Sequence, residues 1–149
     1  MRTTASLAKH PIHPMLIPLP IGLWIFSLVC EITSLVKSDT IWGAVALYTM
    51  AGGVVGALLA ALPGFVDLVT LPPSSARRKG FWHLGVNLTI VTLYVLNLLW
   101  RRHADPATMG PLALSVAAVL LLAISGWLGG EMVYVHGVGV EPVNAEKLG

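Results

Sequence analysis

The sequence predicts an all-α fold, an integral membrane four-helix bundle with short loops. Three observations carry that expectation. The composition is 56 % hydrophobic and only 11 % charged. Four apolar runs are each about as long as a helix needs to cross roughly 30 Å of hydrocarbon. Short polar breaks separate them. At 149 residues the chain reads as one domain, residues 1-149. Soluble domains carry roughly 25 % charge, and a globule this small has too much surface for so few polar groups to cover. A soluble monomer and a disordered chain are therefore excluded. Nine Lys and Arg against seven Asp and Glu leave a net charge of +2. That is too little for a surface that tracks nucleic-acid phosphates. The single cysteine, Cys30, provides neither a disulfide framework nor a multi-cysteine metal site.

The expected helices cover about 14-36, 41-69, 81-100 and 112-135. The first ends at Lys37-Ser38-Asp39-Thr40. The second is long enough to tilt, and ends at Leu71-Pro72-Pro73-Ser74-Ser75 before the basic run Arg77-Arg78-Lys79. The third ends at Arg101-Arg102-His103. Asp105, Pro106 and Gly110-Pro111 form the turn into the fourth, and a polar tail begins at His136. The first apolar run is too long, and too broken by Pro14, Pro18 and Pro20, to read as a cleaved signal peptide.

Four spans return the chain to the side it started from. That side, A, carries Arg2, Lys9, Arg77, Arg78, Lys79 and Lys147, while side B carries Lys37, Arg101 and Arg102. By the positive-inside rule side A is cytoplasmic, with both termini there. The expected location is the plasma membrane.

Small residues recur at every fourth position of the second span, at Gly52, Gly56, Ala60 and Gly64, with a similar stretch at Gly126, Gly129 and Gly130. Such a face lets another backbone approach closely, and helix packing is the favoured reading over a slot for a planar cofactor. Trp24, Trp42, Trp82, Trp100 and Trp127 read as interfacial anchors.

Polar side chains are costly at membrane depth, so each is a candidate site. The topology gathers His10, His13, Asp67, His83, Glu131 and His136 on side A. Imidazole is an axial ligand for haem and a ligand for divalent transition metals. Three chemistries are open. His83 with His13 or His136 would hold a b-type haem within the bundle. The set His13, His83, His136 and Asp67 would instead hold a divalent metal. The acids and histidines would alternatively relay protons or bind a polar head group such as a quinone. Asn87 lies one turn from His83 on the same face and is expected, with Asp67 and Glu131, to orient imidazole rings. The bland reading is that these groups pair with each other, with Arg77, Arg78 or a lysine, or with lipid head groups. On side B, Ser27 and Glu31 are one turn apart and are expected to pair. Asn97 and Thr92 are expected to bond within or across helices.

The stretch His10-Pro11-Ile12-His13-Pro14-Met15-Leu16-Ile17-Pro18-Leu19-Pro20-Ile21-Gly22 resembles the opening of a bacterial family of predicted membrane proteins, the domain of unknown function 2231 family. Pro63-Gly64-Phe65-Val66-Asp67, His83-Leu84-Gly85-Val86-Asn87 and the ending from Gly129 to Val140 resemble it as well. The resemblance implies a small four-helix membrane protein and carries over His13, Asp67, His83, Asn87 and that final segment. Some members are joined to a Rieske-type iron–sulfur domain. This chain has no Cys-x-His sequence of that kind, so the resemblance implies a separate redox partner.

The leading expectation is a cofactor-binding electron-transfer module without a catalysed reaction of its own, with a homo-oligomer or larger complex as its setting. The rivals are a structural or accessory subunit and a small transporter or proton-conducting unit. The last is disfavoured by the lack of an inverted repeat. A reporter fused after Gly149 is expected to read cytoplasmic, and a periplasmic signal would reverse the side assignment.

Overall fold

The computed structural model describes residues 3–101 and 108–140. Arg2, Arg102, His103, Asp105, Pro106 and Lys147, all used in the topology argument, lie outside the described residues. A short hairpin of β1 (Ser6–Leu7) and β2 (His10–Pro11) precedes five helices: α1 (Ile12–Leu16), α2 (Pro18–Lys37), α3 (Thr40–Thr70), α4 (Ser75–Arg101) and α5 (Gly110–Tyr134). Taken together, α1 and α2 form the first of four spans long and apolar enough to cross a membrane. The all-α bundle expected from hydropathy is the fold observed.

Helix ends follow local chemistry. Ser38 adopts a left-handed conformation that stops α2, and the Asp39 carboxylate accepts from the Ile41 N–H at 2.9 Å to start α3. This tight reversal forces α2 and α3 to run antiparallel. Inside α3, Pro63 withholds the N–H that would bond the Leu59 carbonyl. The third span begins at Ser75, six residues before the expected Phe81. The Ser74 hydroxyl accepts from the Arg77 N–H at 3.2 Å, so the cap carries the basic run into the first turns. Apolar periodicity could not see these turns because Arg77, Arg78 and Lys79 are good helix formers with no apolar pattern.

Two helical hairpins, α2–α3 and α4–α5, pack side by side through α3 against α4 and α2 against α5. That leaves α2 and α4 diagonal across the bundle axis. Between the hairpins lies a core of Trp24, Met50, Val54, Ile90, Tyr94 and Ala118. Trp24 and Tyr94 stack there with ring centroids 4.5 Å apart. Trp24 is thus a core residue, not the interfacial anchor its sequence position suggested, and its Nε1–H donates to the Met50 carbonyl at 3.2 Å. Trp82 and Trp127 are largely exposed, as anchors are.

The small-residue face of α3 is covered by the chain itself. A Cβ on Gly52 would meet Leu23, one on Gly56 would meet Leu19 and Pro20, and one on Gly64 would meet the His13 ring. Gly53, absent from the four-residue series, is the tightest of the α3 positions, because its Cβ would lie 2.4 Å from Trp24 Cδ1 and Nε1. The helix-packing reading of this face therefore stands.

At side B the expected Ser27–Glu31 pair does not form. The Ser27 hydroxyl donates to the Ala46 carbonyl at 2.7 Å, which leaves Glu31 for another partner. Glu31 of α2 pairs instead with Arg101 of α4, and its second oxygen accepts from Ser115 of α5 at 2.8 Å. Asn97 donates to the Ser115 hydroxyl and the Pro111 carbonyl, both at 2.8 Å, and accepts from Arg101 Nε at 2.8 Å. A buried carboxylate and a half-buried guanidinium thus share one network, which ties three helices together. Thr92 bonds within its helix, to the Leu88 carbonyl at 2.8 Å.

Gly53→Ala is expected to lower stability by about 1–3 kcal/mol. Gly126→Ala, where a Cβ meets nothing within 4 Å, should change stability by about 0.5 kcal/mol or less. Thermal unfolding of the two variants in detergent checks the contrast.

Candidate functional site

His13 reaches the bundle through the proline-rich start of the first span. Pro11 caps α1 in an extended conformation, and the five-residue α1 turns His13 toward α3. Its Nδ1–H donates to the Ala60 carbonyl at 2.8 Å. The glycine at position 64 makes this approach possible, since a Cβ there would sit 2.7 Å from His13 Nδ1. His83 lies in the third turn of α4 and faces α5. Its Nδ1–H donates to the Ser125 carbonyl at 3.0 Å, with the Ser125 hydroxyl 3.2 Å away. Gly129 of α5 leaves room for this ring, because a Cβ there would lie 3.3 Å from His83 Cε1. Two glycines that pattern analysis reads as packing positions thus also seat the two imidazoles.

The rings of His13 and His83 meet edge to face, with centroids 6.3 Å apart and planes at 90°. A carbonyl oxygen can only accept, so each Nδ1 carries a hydrogen. In the neutral ring, Nε2 is then the nitrogen with the available lone pair, the state in which a histidine ligates.

Asn87 stands where the sequence placed it, one turn from His83, but acts through an intermediary. Its amide donates to the Ser125 hydroxyl at 2.7 Å and to the His83 backbone carbonyl at 2.8 Å. Ser125 is the residue that sequence reasoning missed. It looks like any small residue of a glycine- and alanine-rich helix, and only the packing of α4 on α5 brings it to His83.

The remaining candidates serve other contacts. Asp67 accepts from the Ala5 N–H at 2.7 Å, and Thr4 donates to Thr70 at 2.8 Å. These bonds pin the N-terminal hairpin to the end of α3. Asp67 therefore holds backbone where orientation of an imidazole was expected, and it does not pair with Arg77 or Arg78. Glu131 is paired with Lys79, which joins the end of α5 to the start of α4. His10 is exposed, its Nδ1 2.9 Å from the Ala8 carbonyl. His136 lies in the turn after α5, where its N–H donates to the Glu131 carbonyl at 3.2 Å. Its Nε2 is buried without a hydrogen-bond partner. The segment beyond it returns to the N-terminal hairpin, since a Cβ on Gly139 would lie within 4 Å of Pro11 and Thr3.

Side A thus gathers all six polar residues, but only His13 and His83 meet as rings. Among the described residues, no group of three or more His, Cys, Asp and Glu side chains is arranged to hold a metal ion. The four-member set of His13, His83, His136 and Asp67 is not assembled.

These features define a class: a four-span membrane protein with a histidine pair near one end of its bundle. The chain belongs to the family of predicted membrane proteins designated domain of unknown function 2231 (DUF2231), whose model matches residues 9–142. The resemblance read from the four motifs is thereby established across most of the chain. No curated protein and no solved structure matches it.

Gly64→Ala is expected to push His13 off the Ala60 carbonyl while His83 keeps its bonds to Ser125. In ¹⁵N-histidine spectra the His13 ring resonances should move and those of His83 should stay. Equal movement of both, or of neither, would contradict the separate seating of the two rings.

Proposed function

We propose that this protein is a membrane-embedded cofactor module in which His13 and His83 would hold a b-type haem. The observation that carries this reading is the pair itself: two imidazoles 6.3 Å apart, each with Nδ1 committed to a backbone carbonyl. Histidines that ligate metals characteristically give their other ring N–H to a carbonyl or carboxylate in this way. The number of ligands favours haem over a bare divalent ion. A structural zinc site takes four protein ligands, whereas the described residues bring two imidazoles together, and two histidines would suffice to hold a haem. Cofactor sites built from facing helices of a bundle follow the same plan. Haem would supply reversible one-electron chemistry. In this reading Ser125 and Asn87 hold the His83 ring, Ala60 and Gly64 seat His13, and Asp67 fastens the hairpin that leads into His13.

The role we assign is electron transfer with a separate redox protein on side A, at the cytoplasmic face of a bacterial inner membrane. A competing reading, a structural or accessory subunit, draws on the Glu31–Arg101 and Lys79–Glu131 pairs, whose bonds join helices and need no ligand.

The test is a reduced-minus-oxidised optical spectrum, with elemental analysis, of protein made under haem- and metal-replete conditions and purified in detergent. Soret and α-band differences with near-stoichiometric iron are expected. His13→Ala and His83→Ala should each abolish the bis-histidine spectrum while the protein stays membrane-inserted. A flat spectrum with zinc, copper or non-haem iron bound would replace haem by a metal site. A flat spectrum without metal would leave the structural reading.

A further inference from the structure

The first turns of α4 combine charge, aromatic surface and an open notch on adjoining faces of the helix. Arg77 lies over the Phe81 ring, 5.8 Å from its centroid, and its Nε is buried with no hydrogen-bond partner. Arg78 is exposed one turn before Trp82, which is itself 69 % exposed. Two cation-and-aromatic rows at i,i+4 spacing thus run side by side on the surface of this helix.

The two described acids at this end are already engaged. Glu131 is paired with Lys79, and Asp67 accepts from the Ala5 N–H. At the opposite end of the same helix Arg101 is neutralised by Glu31. Among the described residues, the uncompensated charge of α4 is therefore confined to Arg77 and Arg78. Seven residues beyond Arg78, about 10 Å deeper along the helix axis, Gly85 is exposed with nothing within 4 Å of its Cβ position.

We infer that this surface binds an anionic glycerophospholipid. Its phosphate would lie on Arg77 and Arg78, the level of Phe81 and Trp82 would be the membrane interface, and an acyl chain would run over the Gly85 notch. Charge decides the lipid class. A zwitterionic head group brings a cation that repels two arginines, while a net negative one complements them, and each basic residue near the surface strengthens such binding about fivefold. Aromatic rings one turn inward from the cations match the interfacial belt. The inference is independent of any cofactor, since neither histidine takes part.

Native mass spectrometry of the full chain, released from bilayers of equal phosphatidylglycerol and phosphatidylcholine, reads the retained lipid. Selective retention of phosphatidylglycerol is expected. Arg77→Gln should weaken it about fivefold, and Arg77→Gln with Arg78→Gln about 30-fold. Arg77→Lys with Arg78→Lys should keep most of it, which separates loss of charge from loss of fold. Equal retention of the two lipids, or undiminished phosphatidylglycerol in the double glutamine variant, would overturn the proposal. Full displacement of the lipid by millimolar inorganic phosphate would overturn it too, by showing a site for free phosphate.

Discussion

A polar atom in hydrocarbon has no water to bond, so its partner must come from the protein. That constraint organises the bundle. Ser27 and Trp24 of α2 donate to carbonyls of α3, His13 donates to a carbonyl of α3, and His83 donates to one of α5. Each bond ends on an oxygen whose position is already set by a helical ladder, so it fixes the axial register of one helix against its neighbour. Apolar packing alone discriminates poorly between registers in lipid, because lipid tails are as apolar as leucine. Three buried atoms stand outside the scheme among the described residues: Arg77 Nε, the Tyr94 hydroxyl and His136 Nε2. Two of them lie at the side A end.

The same constraint accounts for what joins the two hairpins. Because α2 and α4 are diagonal, long side chains bridge them, and among the described residues three such contacts join the α1–α2 span to α4. His13, just ahead of α2, meets His83 at one end; Trp24 meets Tyr94 in the middle; Glu31 meets Arg101 at the other end. The middle contact is apolar stacking and the far contact is a satisfied ion pair. The near contact is different in kind, since it is neither an ion pair nor part of the apolar core, and each ring is held by a backbone carbonyl through Nδ1. That difference sets the histidine pair apart from the other two contacts.

Much of this was legible in the sequence, for reasons that differ by residue. The gathering of six polar groups at one end followed from counting spans, because an even number of crossings returns the chain to its starting side. Asn87 could be linked to His83 because i,i+4 spacing is a local property of a helix. Ser125, Gly53 and the Glu31–Arg101 pair could not be found that way. Their partners are 42, 29 and 70 residues distant in the chain or on another helix, and no local period encodes them. Glu31 was misassigned to Ser27 for the same reason: the local neighbour was visible and the distant one was not. Trp24 was misread because it was grouped with tryptophans near span ends, although it lies mid-span, and hydropathy says nothing about which face of the helix turns inward.

Sequence alone determined the four spans, the end at which histidines and acids collect, and the family, because hydropathy, topology and motif are properties of a chain read in one dimension. Tertiary structure decided which of those groups touch. It paired His13 with His83, gave Asp67 to the N-terminal hairpin and Glu131 to Lys79, and filled the glycine face of α3 with the protein's own side chains. The physical reason is rotational. Hydropathy places a residue at a depth in the membrane, but contact also depends on the angle at which each helix turns that residue toward its neighbours. That angle is set jointly by the hydrogen bonds and close packing of all the helices.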